Sequence, residues 1–177
     1  MKYEYIPTPK NNKTKKTAVC FFFAGLILFI VGGVKMIPMR SVIQLASMAS
    51  FTIAILLVGR FLLRAYAYRI EDMGEGEEFF VDEITRKSRF SVCRLEMRKL
   101  VGVYCRKDLS KEEQNKKHYN YCPDAFANDS YILEFVDSEY DITAERIRVR
   151  IQPDDKLLSI LEEAAAKNAE LGSEQND

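Results

Sequence analysis

Over the first third of the chain the apolar residues run on without a period. Residues 17–34, "TAVCFFFAGLILFIVGGV", are 18 uncharged positions between Lys16 and Lys35, and as a helix they reach about 27 Å, roughly the depth of a hydrocarbon core. Residues 41–59, "SVIQLASMASFTIAILLVG", add 19 more between Arg40 and Arg60, extended by Phe61, Leu62 and Leu63. Neither run keeps the polar stripe of a helix on the surface of a soluble bundle, so the pattern predicts two membrane spans, 17–36 and 40–63. The first run is longer than the roughly 7–15 residues of a signal-peptide core, and no small-residue cleavage pattern follows it. The link "KMIPMR" is short and holds Pro38, which predicts a tight antiparallel hairpin. Gly25, Ala46 and Ala49 are small enough to let its helices approach closely.

From Ala65 the period becomes two. "YAYRIED" alternates Tyr66, Tyr68 and Ile70 with small or charged residues, "MGEGE" supplies turn chemistry, and "EFFVDEITR", "RFSVCRLEM" and "LVGVYCR" read as three further strands. Ser110 and Glu113 have the spacing of a capping box, which predicts a short helix in the polar insert 107–128. "HYNYC", "YILEFVD" and, after the turn "SEYDITAE", "RIRVRI" complete seven strands. The period then changes to that of a helix, with Leu157, Ile160, Leu161 and Ala164 on one face. That helix is expected from about Pro153 to Leu171: Pro153 suits its first turn, Asp154 and Asp155 its positive end, and Gly172 its stop. Seven short antiparallel strands and one amphipathic helix over residues 65–171 predict an α+β chain: a two-helix transmembrane hairpin, then a strongly bent sheet or partly open barrel capped by the C-terminal helix. Residues 172–177 are expected to be a disordered tail.

The ending Y-x-L-x-F-x-D … I-x-V-x-I-x-P-x-x-x-L-x-x-x-L, here Tyr131 to Asp137 and Ile147 to Leu161, combined with the hairpin, resembles the bacterial pleckstrin-homology-like (PH-like) membrane proteins. The resemblance covers about residues 65–170 plus the two spans. It implies a PH-like fold and a binding or oligomerisation module with no defined shared ligand. The insert at 107–128 departs from the simplest form of the pattern.

Charge sharpens this picture only when the chain is divided. The total is 26 basic against 26 acidic residues; residues 1–64 hold 9 − 1 = +8 and the remainder 17 − 25 = −8. Lys2, Lys10, Lys13, Lys15, Lys16, Arg60, Arg64 and Arg69 flank the spans on one side, against Lys35 and Arg40 in the turn. The asymmetry predicts a cell-membrane protein with both termini, including a basic tail over residues 1–16, in the cytoplasm. Cys20, Cys93, Cys105 and Cys122 contain no CxxC, which fits a reducing compartment better than a disulfide framework.

Candidate chemistry is sparse. His118 is the only imidazole and sits in the most polar stretch. The spacing 93, 105, 118, 122 is not a recognised zinc arrangement, there is no P-loop or GxGxxG, and "GEG" at 74–76 reads as a turn. No catalytic residue, metal or cofactor is expected, and no nucleic-acid partner. Two basic groups stand out: Arg146, Arg148 and Arg150 on one face of the last strand, and Arg86, Lys87 and Arg89 around the link between the second and third strands. Guanidinium forks match phosphates and carboxylates, so both are candidate anion or partner contacts. A soluble half at −8 is repelled by an anionic leaflet, which favours a protein partner or self-association over lipid. The expectation is a membrane-anchored module for protein interaction or assembly; its rivals are anionic-lipid sensing and a membrane-bound enzyme built on Cys122 and His118.

Overall fold

The computed structural model describes residues 2–9, 12–34, 39–74, 76–86, 88–127, 129–136 and 146–174. Lys10, Lys35, Pro38, Glu75, Lys87, Asn128, Asp137, the expected turn at 138–145 and the tail residues 175–177 lie outside them. The chain forms two compact units: one takes Pro9–Arg64 with Asp124–Phe126, the other Met1–Thr8, Ala65–Pro123 and Ala127–Asp177.

In the helical unit, α1 spans Lys13–Gly33 and α2 spans Arg40–Leu57, continued by a π-turn at Val58–Leu62. Both are long and apolar enough to cross a membrane. Their outer residues, among them Phe23, Ile27, Phe29, Ile55 and Leu56, are exposed. α1 starts at Lys13, inside the expected tail, because lysine sustains a helix well. The contact between the helices differs from the expected one. Ala46 and Ala49 are exposed, and the buried stripe of α2 is Ser47, Ser50 and Ala54. Ser47 donates to the Gly25 carbonyl and Ser50 to the Phe21 carbonyl, each at 2.8 Å; in apolar surroundings these hydroxyls need such acceptors, whereas alanine needs none. A Cβ at Gly25 would meet the Phe51 ring at 3.2 Å, so glycine permits the close approach. In the same unit Asp124 is buried and accepts from the Thr14 hydroxyl.

Among the described residues the other unit has eight strands, one more than expected. β1 (Tyr3–Tyr5), β2 (Ala65–Asp72), β3 (Glu77–Thr85) and β4 (Ser88–Glu96) form an antiparallel sheet in that order. β5 (Leu100–Cys105), β6 (Tyr119–Asn120), β7 (Tyr131–Val136) and β8 (Arg146–Ile151) form a second sheet in the order β5-β7-β8-β6. Two expectations are corrected here. Residues 3–5 are a strand paired with β2 (Tyr5 opposite Tyr68), not free tail; Tyr3 and Tyr5 alternate around Glu4 and pack against the core. β6 is parallel to β8, not antiparallel.

Among the described residues the two sheets do not close into a barrel. They share a core of Tyr66, Tyr68, Ile70, Phe79 and Val81 from the first, Leu100, Leu133, Phe135, Val149 and Ile151 from the second, and Leu157 and Leu161 from α4. β2, β3, β7 and β8 contribute alternate residues, as the period-two pattern requires. α4 runs Asp155–Glu174. Its cap is Asp154, which accepts from Leu157 N at 3.0 Å; Pro153 stands before the cap, not in the first turn, and Gly172 does not stop the helix. Asn168 holds the far end by donating to the carbonyls of Met97 and Leu100 at 2.8 and 2.9 Å. α3 (Lys111–Asn115) is the expected short helix, with the Ser110 hydroxyl accepting from Glu113 N.

The link between β2 and β3 uses positive φ at Gly74 (84°) and Gly76 (139°), where a side chain would be strained. The link between β3 and β4 leaves only two residues between the opposed pair Thr85 and Ser88, and Arg86 adopts φ 51° there. Such two-residue links match strand twist only with a left-handed backbone.

Candidate functional site

The outer face of the first sheet carries a connected set of ion pairs and cation–ring contacts. Register aligns Glu4, Arg69, Phe80 and Arg94 in one row across β1 to β4. Phe80 points away from the core yet is buried, because two guanidiniums lie over its ring, Arg69 at 4.5 Å and Arg94 at 5.7 Å from the centroid. Arg94 also forks onto Glu78, which holds that carboxyl below its usual range. Beside this row Asp82 is buried and accepts from Arg89 at 2.8 Å and Arg69 at 3.2 Å through one oxygen. Arg89 reaches Glu4 at 2.6 Å, and Arg69 reaches Glu71 at 2.5 Å. The grid is electrostatically matched within itself, so its arginines are fixed in place by their own neighbours.

The candidate basic residues separate on this structure. The row Arg146, Arg148, Arg150 does not face outward as an open edge. Arg150 is buried and donates to Ser130 Oγ at 2.9 Å and the Ala127 carbonyl at 2.8 Å. Arg148 stands opposite buried Glu134 in the β7–β8 register and bridges it, at 3.1 Å, to Glu113 of α3, at 2.8 Å. Only Arg146 keeps an exposed side chain, with one contact of 3.4 Å to Glu134. The reason is coverage: Ala127, Ser130 and α3 lie over the face of β8 that alternation alone leaves to solvent. Arg89 is held in the grid, Arg86 is exposed at the β3–β4 link, and Lys87 lies outside the described residues.

The thiols and the imidazole do not form a described constellation. Cys122 is fully buried. His118 Nδ1 lies 2.9 Å from the Lys116 carbonyl in the loop before β6. Burial pushes the Cys93 thiol up to about 11, far from the depressed values that make a nucleophile. Among the described residues no group of three or more His, Cys, Asp or Glu is placed to hold a metal.

One feature of β4 is not legible as a site in the sequence. This strand pairs only with β3, and its other edge has no strand partner among the described residues. It carries Phe90, 60% exposed, and Val92, 40% exposed. A bulge lies at its centre: Asp82 faces Ser91 and Val81 faces Cys93, leaving Val92 as the extra residue. The signal available in "RFSVCRLEM" was that no single alternation buries Phe90, Val92, Cys93 and Leu95 together. Next to this strand a cavity of about 290 Å³ is lined by Leu95, Phe135, Val136 and Ile147, with Glu78, Arg94, Glu96 and Lys99 at its polar side; it falls just below the roughly 300–1,000 Å³ of ordinary ligand pockets.

The chain matches no protein-family model, no curated protein and no solved structure.

Proposed function

We propose that this chain is a membrane-anchored PH-like module that docks a protein along β4. The single observation carrying the docking is the open β4 edge with its two exposed apolar side chains. A free edge offers a row of backbone donors and acceptors, and strand addition is a common mode of protein recognition. The PH-like reading is supported by the seven strands β2 to β8 and the docked helix α4; β1 and the parallel pairing of β6 depart from it. The anchor reading is supported by β1 and β2: these strands precede and follow the two apolar helices and pair with each other, so a hairpin that crosses the bilayer returns the chain to its starting side. The flanking lysines and arginines favour the cytoplasm for that side. Lipid sensing through the arginine row is the weaker reading, since Arg148 and Arg150 are engaged internally.

The test is a photo-crosslinking amino acid at position 92 of the full chain, expressed in a bacterial membrane, with a topology reporter fused at residue 177. The expected result is a discrete protein adduct in the membrane fraction and a reporter that behaves as cytoplasmic. Adducts to lipid alone, or none, would remove the docking role; an extracytoplasmic reporter would overturn the orientation.

A further inference from the structure

We propose that the partner docked on β4 is a second copy of this chain, its β4 paired antiparallel with the first so that two four-stranded sheets become one. This rests on the docking reading above and names its occupant. A twofold pairing must place inner side chains opposite inner ones and outer opposite outer. The inner positions of β4 are Cys93 and Leu95, which pack against the core, and Phe90, which is opposite Glu83 and in line with Tyr66. The outer positions are Arg89, Ser91, Arg94 and Glu96, in line with Ile84, Asp82, Phe80 and Glu78. Because Val92 is an extra residue, the alternation slips by one at the middle of the strand. The pairing that keeps faces matched then sets Glu96 opposite Arg89 of the other copy, Leu95 opposite its Phe90, and Arg94 opposite its Ser91.

Each of these contacts is made twice by symmetry, and the first two are complementary. Glu96 and Arg89 have opposite charge and are partly exposed, their side chains 35% and 41% accessible; each is already paired in its own subunit, Glu96 with Arg98 and Lys99 and Arg89 with Glu4 and Asp82, so the pairing between copies extends these networks. An edge guarded only against pairing carries charge that repels its own copy; here the sign reverses along the strand, so the strand is matched to itself. Phe90 stands opposite Glu83 in its own sheet and is 60% exposed. Opposite Leu95 it reaches the mouth of the 290 Å³ cavity whose apolar wall is Leu95, Phe135, Val136 and Ile147. An exposed aromatic and an open cavity with one apolar wall, placed opposite each other by the register that also matches the charges, are the knob and hole of an isologous interface. Confinement to a membrane raises the local concentration of copies and favours such an edge contact.

The experiment uses the full chain in native membranes and in detergent. Ser91→Cys with Arg94→Cys, in a chain whose Cys93 is Ser, is oxidised in the membrane. Positions 91 and 94 of one strand are about 10 Å apart, beyond the reach of an internal disulfide, so a crosslink reports the paired register. The expected result is a disulfide-linked dimer from the double variant and none from either single variant. Phe90→Lys is expected to weaken dimerisation in detergent by about thirtyfold or more, the scale of an interface hot spot, with an unchanged near-ultraviolet melting curve. Equal crosslinking by a single variant, or a Phe90→Lys protein that dimerises as wild type does, would overturn the proposal. A wild-type chain that stays monomeric while position 92 crosslinks to a different protein would overturn self-pairing and leave docking intact; no protein adduct at all would remove both.

Discussion

Replacing Arg148 with alanine tests whether the arginines of β8 belong to the interior or to a recognition surface. Glu134 is buried, with a side chain only 3% accessible, and the Arg148 side chain is 12% accessible. Arg148 gives Glu134 two hydrogen bonds, from Nε at 3.2 Å and Nη2 at 3.1 Å; the remaining contact to Glu134 is from Arg146 at 3.4 Å. Removing one member of a buried pair costs about 3–5 kcal/mol, because the other charge stays desolvated without its partner. The surviving Arg146 contact and the partial exposure of Arg148 place the expected loss near the lower end, about 3 kcal/mol. For a domain of this size each kcal/mol moves the melting temperature about 4–8 °C, so the expected drop is about 12–24 °C. The assay follows from the composition: the chain has nine tyrosines and no tryptophan, and none of the tyrosines lies in residues 13–62. Near-ultraviolet dichroism around the tyrosine band therefore follows the β unit of the full chain in detergent while the apolar helices contribute little. Replacing both partners, Arg148→Met with Glu134→Leu, removes the charges together and is expected to recover most of the loss. An Arg148→Ala protein that melts within about 2 °C of wild type would refute the reasoning, since that corresponds to well under 1 kcal/mol.

Asp154→Ala removes the α4 cap and is expected to cost about 1 kcal/mol; because the hydrogen bond to Asp154 holds the Tyr3 hydroxyl up at about 12, the same change lowers the Tyr3 titration toward 10, which ultraviolet titration reads. Alkaline pH is expected to destabilise the β unit: burial raises Cys93 from 9.0 to about 11 and Tyr121 from 10.0 to about 12. A raised folded pKa means that this stability is complete below the unfolded value and is lost as pH rises through about 9 to 12; a melting temperature flat across that window would contradict the burial of both groups. A fragment beginning at Ala65 lacks β1 and leaves the β2 edge unpaired, so adding a peptide of residues 2–8 is expected to raise its melting temperature. A peptide without effect would show that β1 contributes nothing to the sheet.

The elements read correctly from the sequence are those whose period is written locally. An unbroken apolar run needs no partner to be recognised, which is why α1 and α2 stand near their expected limits. The alternation of Tyr66, Tyr68 and Ile70, or of Ile147, Val149 and Ile151, marks a strand with one face on a core, and the shift at Pro153 marks the start of a helix. Ser110 is legible for the same reason, since a cap and its target amide are three residues apart. The rest depended on which segments meet. Tyr3–Tyr5 is a strand only because β2, more than sixty positions later, offers it an edge. Alternation says that the arginines of β8 are on the face away from Ile147, Val149 and Ile151, and it says nothing of what covers that face; Glu134, Ser130 and α3 do, so Arg148 and Arg150 became interior residues. The sequence contains Phe90 and Val92, but their exposure follows from the position of β4 at the end of its sheet. An edge is a property of strand order, which is fixed by long-range pairing and not by the residues of the strand itself.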